Sequence, residues 1–282
     1  MTSPCRPCPA QVSPGAPQLR ETQQAFDSVA ADYDGPRGNN PLIQDMRNEM
    51  WRSLDAAFAK SSRLIDLGCG TGLDAVRMAH SGHRVTATDW SSQMVERTRN
   101  RAAREHVSES VQALAVGAHE LHRLEDDQAF DGAYSNLGAL NCVPDLSGVA
   151  QECARLLKPG GRLVFSVIGR VCPWEIAYYL SQRRWARVKV RYARTFVPVG
   201  MNNHTIWTRY FQPREFYRAF RRQFTLTHYR GLCVFAPPPY LTWMRERHAT
   251  AYDRLWRLDR RISGWPLLRA MGDHFLMVMK KR

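Results

Sequence analysis

Short apolar blocks recur along the chain and alternate with stretches whose apolar positions repeat every three or four residues. The block ending at Leu67 reads as a strand, and a helix with Leu73, Ala75, Val76 and Ala79 on one face follows at once. His83–Thr88 is a second strand, with Val85 and Ala87 on one face, and Ser91 is placed to cap a helix carrying Met94 and Val95. Strands at Val111–Val116 and Phe130–Ser135 come next, then a helix through Leu146, Val149, Cys153 and Leu156 and a strand at Arg162–Ile168. Phe224–Cys233 and His274–Met279 add two more. This alternation predicts a doubly wound, mostly parallel α/β sheet of seven strands. Ahead of it, Leu42, Met46, Met50 and Leu54 form the stripe of an amphipathic helix.

The breaks in this pattern carry the chemistry. Between the first strand and its helix stands Asp66-Leu67-Gly68-Cys69-Gly70-Thr71-Gly72, with glycines at alternate positions. Glycine tolerates positive φ and close approach of a ligand, and the helix start offers free N–H groups. Asp89 ends the second strand, placed to accept from both hydroxyls of a ribose. Lys158-Pro159-Gly160-Gly161 separates a helix from a hydrophobic strand and reads as a helix stop.

Taken together, the GxGxG spacing, the acidic strand end and the Lys-Pro-Gly-Gly turn resemble the class I S-adenosylmethionine (SAM) methyltransferases. A dinucleotide fingerprint would read GxGxxG instead. The resemblance covers residues 21–168 and then only the two final strands, the last of which runs antiparallel in that family. It implies that Asp66, Gly68, Cys69, Gly70 and Gly72 form the cofactor turn and that Asp89 holds the ribose. It also implies that Trp90 flanks the adenine and that the segment beginning Ser135-Asn136 lies beside the methyl group, so Asn136 joins the cofactor set. Where many relatives carry an adenine-binding aspartate this chain has Ala118, which leaves His119 or backbone groups for that contact. Phe26, Asp27, Tyr33 and Asp34 look like the N-terminal cover of small-molecule methyltransferases of quinone and biotin biosynthesis, with Tyr33 as a lid residue near the methyl.

Residues 1–20 hold five of the sixteen prolines and no apolar block, and read as a disordered tail. A helical cover at 21–60, a SAM-binding core at 61–168, and a core helix and sixth strand at 213–234 follow, with the last strand at 273–282. Two additions, 169–212 and 235–272, are rich in aromatic residues and are expected to cap the C-terminal edge of the sheet. In the second, Leu241, Met244, His248, Tyr252, Leu255 and Ile262 lie roughly along one side of a helix, with Trp243 and Trp256.

Composition adjusts this picture little. The net charge is +14, yet only five of the forty basic residues are lysine, an arginine bias that weakens any nucleic-acid reading. The arginines still cluster at 183–194 and 245–261, outside the recognised sheet. Seven cysteines are scattered, and Cys5-x-x-Cys8 has no second pair at zinc spacing, so no metal site is expected. No apolar stretch is long enough to span a bilayer, and the expectation is a cytoplasmic protein.

These readings predict a methyltransferase acting on a small organic acceptor with apolar bulk, and no sequence-specific nucleic-acid partner. Two rivals stand beside it. One is a lipid or quinone methyltransferase docking on membranes through 241–262. The other is a SAM-binding nucleic-acid or regulatory protein without transferase activity. If the acceptor must lose a proton, His204, His119, Tyr33 and Glu175 are candidate bases, His204 foremost because it lies in the aromatic insertion.

Overall fold

The computed structural model describes residues 15–36, 38–201 and 203–282. Two helices open the chain, α1 (Ala16–Val29) and α2 (Pro41–Ala57). The tail expected through residue 20 is therefore already helical from Ala16. Cys5 and Cys8 lie outside the described residues. Asn40 caps α2, its side-chain oxygen accepting from the N–H groups of Leu42 and Ile43 at 3.0 and 3.1 Å.

The core then alternates β1 (Arg63–Leu67), α3 (Leu73–His80), β2 (Arg84–Asp89), α4 (Ser92–Arg104), β3 (Val111–Ala115), β4 (Phe130–Ser135), α5 (Leu146–Leu156) and β5 (Leu157–Ile168). After it come α6 (Pro173–Ser181), α7 (Trp185–Val188), β6 (Val197–Met201), β7 (His204–Thr208), α8 (Pro213–Phe220), β8 (Phe224–Leu232), α9 (Thr242–Arg247), α10 (Ala249–Ile262) and β9 (His274–Lys281). Seven strands form one sheet in the order β3-β2-β1-β4-β5-β9-β8, and β6 pairs only with β7. Strands β1 to β5 are parallel, while β9 runs antiparallel to both its neighbours. The chain reverses strand order between β1 and β4, which opens a crevice at their C-terminal ends.

Alternation along β1 sorts its side chains between two cores. Ile65 and Leu67 pack with α5 and α8, where Phe165, Phe216, Phe220 and Phe275 meet at ring separations of 5.1–6.2 Å. Leu64 packs on the other face with Met50 and Leu54 of α2 and Ala75 and Met78 of α3. Asp66 shares the parity of Leu64, which aims a carboxyl group into that second, largely apolar layer.

Around Lys158–Gly161 and in the two insertions the structure refines the sequence expectations. α5 ends at Leu156, directly ahead of the Lys158–Gly161 stop, and β5 begins already at Leu157, five residues before the strand start expected at Arg162. The four residues are bulged out between the pairs Phe130↔Leu157 and Gly132↔Arg162. The insertion at 169–212 contains a β-hairpin, which leans on α1 through Trp207: its backbone N–H donates to Thr22 Oγ1 at 3.1 Å and its indole to Glu21 at 2.9 Å. The insertion at 235–272 does not cap the sheet edge. Its buried face turns to α2, with Tyr252 and Arg245 both bonded to Asp45 and Arg260 to Glu49. Asp259 accepts from the N–H groups of Val234, Phe235 and Ala236 and fixes the turn that redirects it. Among the described residues no helix is long and apolar enough to cross a membrane.

Asn141 ties the hairpin to the sheet. Its buried amide donates to the carbonyls of Ile168 (3.1 Å) and Arg209 (2.7 Å) and accepts from Ile168 N–H (2.9 Å). Asn141→Ala strips partners from buried backbone groups, so it is expected to cost about 2–4 kcal/mol in urea unfolding. A loss under about 0.5 kcal/mol would show that the hairpin is held by other contacts.

Candidate active site

The turn after β1 is shaped by its glycines for two different reasons. All three have positive φ, at 74°, 55° and 82° for Gly68, Gly70 and Gly72. A Cβ on Gly68 would lie 2.4 Å from Ala139 Cβ, and one on Gly72 would lie 2.8 Å from Thr98 Cγ2, so these two are small because protein packs against them. At Gly70 the nearest atom would be Tyr33 Cε1 at 3.9 Å. That glycine faces open space.

Neighbouring elements hold the turn in place. Gly68 and Cys69 donate to Thr88 O at 2.8 and 2.9 Å, Gly70 N–H donates to Asp89 Oδ2 at 2.9 Å, and Thr98 Oγ1 donates to Gly70 O at 2.8 Å. Asp34 accepts from Thr71 Oγ1 at 2.8 Å and pairs with Arg101, which itself donates to Thr71 O. The N-terminal cover is thereby fastened to the glycine turn.

Above the turn lies a cavity of about 270 Å³. Gly68, Gly70, Asp89, Trp90, His119 and Asn136 line one part, with Tyr33 of the cover facing them. The remaining wall is mostly apolar: Phe26 from α1, Leu140 and Val143 after β4, Ile168 at the end of β5, and Met201 and Ile206 from the hairpin. Thr22, Cys142 and Thr208 supply its polar atoms.

Electrostatics differ along this cavity. Burial lifts the Asp89 carboxyl to about 6, although N–H donors from Ser91 and Gly70 favour its charge. Burial lowers the His119 pKa, so its ring is neutral at pH 7, and it stands edge-on to Trp90 with centroids 4.6 Å apart. Enclosure raises the Tyr33 hydroxyl, keeping it protonated, and raises the Cys142 thiol to about 11.

Of the sequence candidates, Tyr33, Gly68, Gly70, Asp89, Trp90, His119 and Asn136 meet around this one space. Cys69 and Gly72 shape the turn from behind, and the Cys69 thiol lies 3.5 Å from Thr98 Oγ1. Asp66 is buried beneath, its pKa raised well above the usual carboxylate range by burial and by Asp74. The Tyr134 hydroxyl beside it partly offsets that shift.

His204 is corrected. It shares a face of the hairpin with Met201, its cross-strand partner, but stands exposed at the end where the chain connects the two strands and is not among the lining residues. Glu175 is likewise diverted, into ion pairing with Arg191. The pattern concealed a buried group beside the turn: Asp74 accepts from Arg47, from Trp51 Nε1 at 2.7 Å and from Asn136 Nδ2 at 3.0 Å. Arg47 sits mid-stripe on α2, and its charge among apolar neighbours was the available signal. The hairpin wall also had one: two alternating runs around Asn202-Asn203.

The comparisons with known proteins fall on this geometry. A methyltransferase-domain profile matches residues 65–165. The ubiquinone biosynthesis O-methyltransferase of Alkalilimnicola ehrlichii is 30% identical over 197 residues, spanning 67% of this chain and 72% of that protein. The chain belongs to the class I SAM-dependent methyltransferases. The demethylmenaquinone methyltransferase of Clavibacter sepedonicus is 34% identical over 142 residues, covering 49% of this chain and 54% of its own length. Among solved structures, a geranyl diphosphate C-methyltransferase from Streptomyces coelicolor superposes with a TM-score of 0.60 at 16% identity, over 98% of this chain and 100% of that one. The 1,6-didemethyltoxoflavin-N1-methyltransferase of Burkholderia thailandensis gives 0.57 at 18%, over 98% and 93%. Both share the methyltransferase fold.

SAM is the cofactor of this methyltransferase, and the residues present suit it: an open cradle at Gly70, a carboxylate at the end of β2 and an aromatic wall made by Trp90 and His119. Gly70→Val would fill the cradle and force a β-branched residue to φ near 55°. SAM binding is expected to disappear in calorimetry while the far-UV spectrum is retained. Unchanged SAM affinity in that variant would show that the turn does not touch the cofactor.

Proposed function

We propose that the chain transfers the methyl group of SAM to a small, largely apolar acceptor of the quinone-precursor kind, bound against the hairpin wall. The observation that carries this reading is the division of one cavity into a polar part at the β1 and β2 ends and an apolar part at the β4 and β5 ends. Relatives named for ubiquinone and menaquinone methylation favour an aromatic acceptor with aliphatic bulk.

Bound SAM supplies an activated methyl on a sulfonium, so the protein's task is alignment and exclusion of water. Asp89 accepts from the ribose hydroxyls. Trp90 and neutral His119 flank the adenine. The backbone at Gly68 and Gly70 follows the amino-acid part, near the Arg47–Asp74–Asn136 group that the cover brings down. Tyr33, held neutral, closes the space over the turn and donates a hydrogen bond instead of acting as a base.

On the acceptor side Phe26, Leu140, Ile168, Met201 and Ile206 bury apolar surface, and Thr208 and Cys142 offer the polar atoms that orient a ring substituent. Cys142 Sγ lies 3.7 Å from Thr208 Oγ1. With a thiol at about 11 and a protonated tyrosine, the wall favours an acceptor whose own acidity provides the nucleophile.

The Asp89 role sets a pH dependence. Ribose hydroxyls stabilise the ionised carboxylate, so binding lowers its pKa from the free value of about 6. SAM affinity is therefore full above pH 6 and falls as pH drops through it, by up to about tenfold per unit. Asp89→Ala loses charge-assisted bonds worth roughly 1.5–3 kcal/mol and weakens SAM about 10- to 100-fold. Calorimetry from pH 5 to 8 on both proteins checks this, and a flat wild-type profile would displace Asp89 from the ribose.

Ile206→Asn separates the two halves. It is expected to raise the acceptor KM at least tenfold with SAM affinity within twofold of wild type, measured with hydroquinone and catechol acceptors bearing aliphatic tails. Equal loss of SAM affinity would mean that the hairpin serves the cofactor.

A further inference from the structure

Large apolar side chains that stand exposed among the described residues all fall between residues 180 and 271, outside the methyltransferase core. The densest group follows α10. Trp265 is 60% exposed and Leu267 84%, with Met271 beside them in sequence and Leu258 one to two turns earlier on the helix.

This exposure is built into the fold. The segment after α10 is fastened at both ends: Gly231 N–H donates to Ser263 O at 3.1 Å, Arg230 Nη2 donates to Ser263 Oγ at 2.9 Å, and Gly272 N–H donates to Val171 O at 2.9 Å. Met271 N–H closes a turn onto Leu268 O at 2.8 Å. Trp265 and Leu267 project from a loop whose backbone is held in place.

The helix that leads into this loop is cleanly divided. Tyr252, Asp259 and Ser263 are buried toward α2 and the 234–236 turn, and Trp256 packs beside them. On the opposite side Arg254, Arg257, Leu258 and Arg261 follow at intervals of three, one and three residues, a single exposed stripe. Arg254 and Arg261 make no ion pair among the described residues, and Arg257 bonds only the backbone of Asp253. Asp253 and Glu246 are the exposed acids nearby, against four unpaired arginines counting Arg247. Arg245 and Arg260 are already spent on Asp45 and Glu49.

We propose that this face is a docking surface for an anionic lipid bilayer. The arginine stripe lies along the headgroups, and Trp265 and Leu267 enter the interface beside it. Charge complementarity selects an anionic surface. The indole and the leucine at the end of the basic stripe select a lipid, because an amphipathic ring and an aliphatic chain gain most where headgroups meet hydrocarbon. The face lies away from the cavity lining, so docking and methyl transfer rest on different residues and are tested separately.

The test is flotation of the full chain with vesicles of phosphatidylcholine alone or with 30% phosphatidylglycerol, at low and high salt. Binding is expected only to the anionic vesicles, and it weakens as salt rises because the charges are screened. Trp265→Ser with Leu267→Ser, and separately Arg254→Glu with Arg257→Glu and Arg261→Glu, should each lower vesicle partitioning at least tenfold. SAM calorimetry on both variants should match wild type, which shows that they are folded. Absence of flotation at low salt overturns the proposal, as does flotation that neither variant changes. Self-association lost in the Trp265/Leu267 variant, without vesicle binding, would reassign the face to a second copy of the chain.

Discussion

The site depends on a backbone turn that must pass between two packed walls with φ positive at three positions. Gly68 lies against Ala139, Gly72 against Thr98, and only Gly70 opens to the cavity. The contact at Gly68 matters most for function. Ala139 belongs to the segment after β4, whose neighbours Leu140, Cys142 and Val143 line the apolar part of the cavity. The glycine turn and the apolar wall of the cavity are thus in van der Waals contact, and their spacing is set by packing. Methyl transfer over so short a path gains chiefly from that fixed alignment.

Helix α1 closes the space from above by bridging two parts of the molecule. On one side Thr22 and Glu21 hold Trp207 of the hairpin; on the other Gln23 donates to Trp90 O and Asp27 accepts from Ser91 at the start of α4. Thr22 and Phe26 face the cavity between these fastenings. Cover and hairpin are thereby joined across one side of the cavity. The cover also reaches the turn through Asp34 and the buried polar layer through Arg47.

Most of the sheet was legible because its strands are buried on both faces and their periodicity is strong. Asp89 and the glycines were legible because few residue types suit those backbone positions. The hairpin was missed: its wall residues Met201, Ile206 and Thr208 sit among aromatic residues that read equally well as cap packing. The fate of 235–272 turned on ion pairs with Asp45 and Glu49 on α2, some 200 positions earlier, which no local pattern reveals. His204 looked catalytic by residue type, yet it stands exposed opposite Met201 and outside the lining set, a placement set by register. The basic clusters likewise split on folding: Arg191 became the buried partner of Glu175 and Asp273, whereas Arg254, Arg257 and Arg261 stayed in solvent.

The proposed arrangement places cofactor and acceptor end to end in one cavity, joined across the Gly68–Ala139 contact. A crystal structure with S-adenosylhomocysteine tests it most directly. The ribose hydroxyls are expected on Asp89, the adenine against the wall made by Trp90 and His119, and the sulfur directed toward the wall formed by Ile168, Met201 and Ile206. Adenine density elsewhere, or a sulfur facing away from that wall, would contradict it.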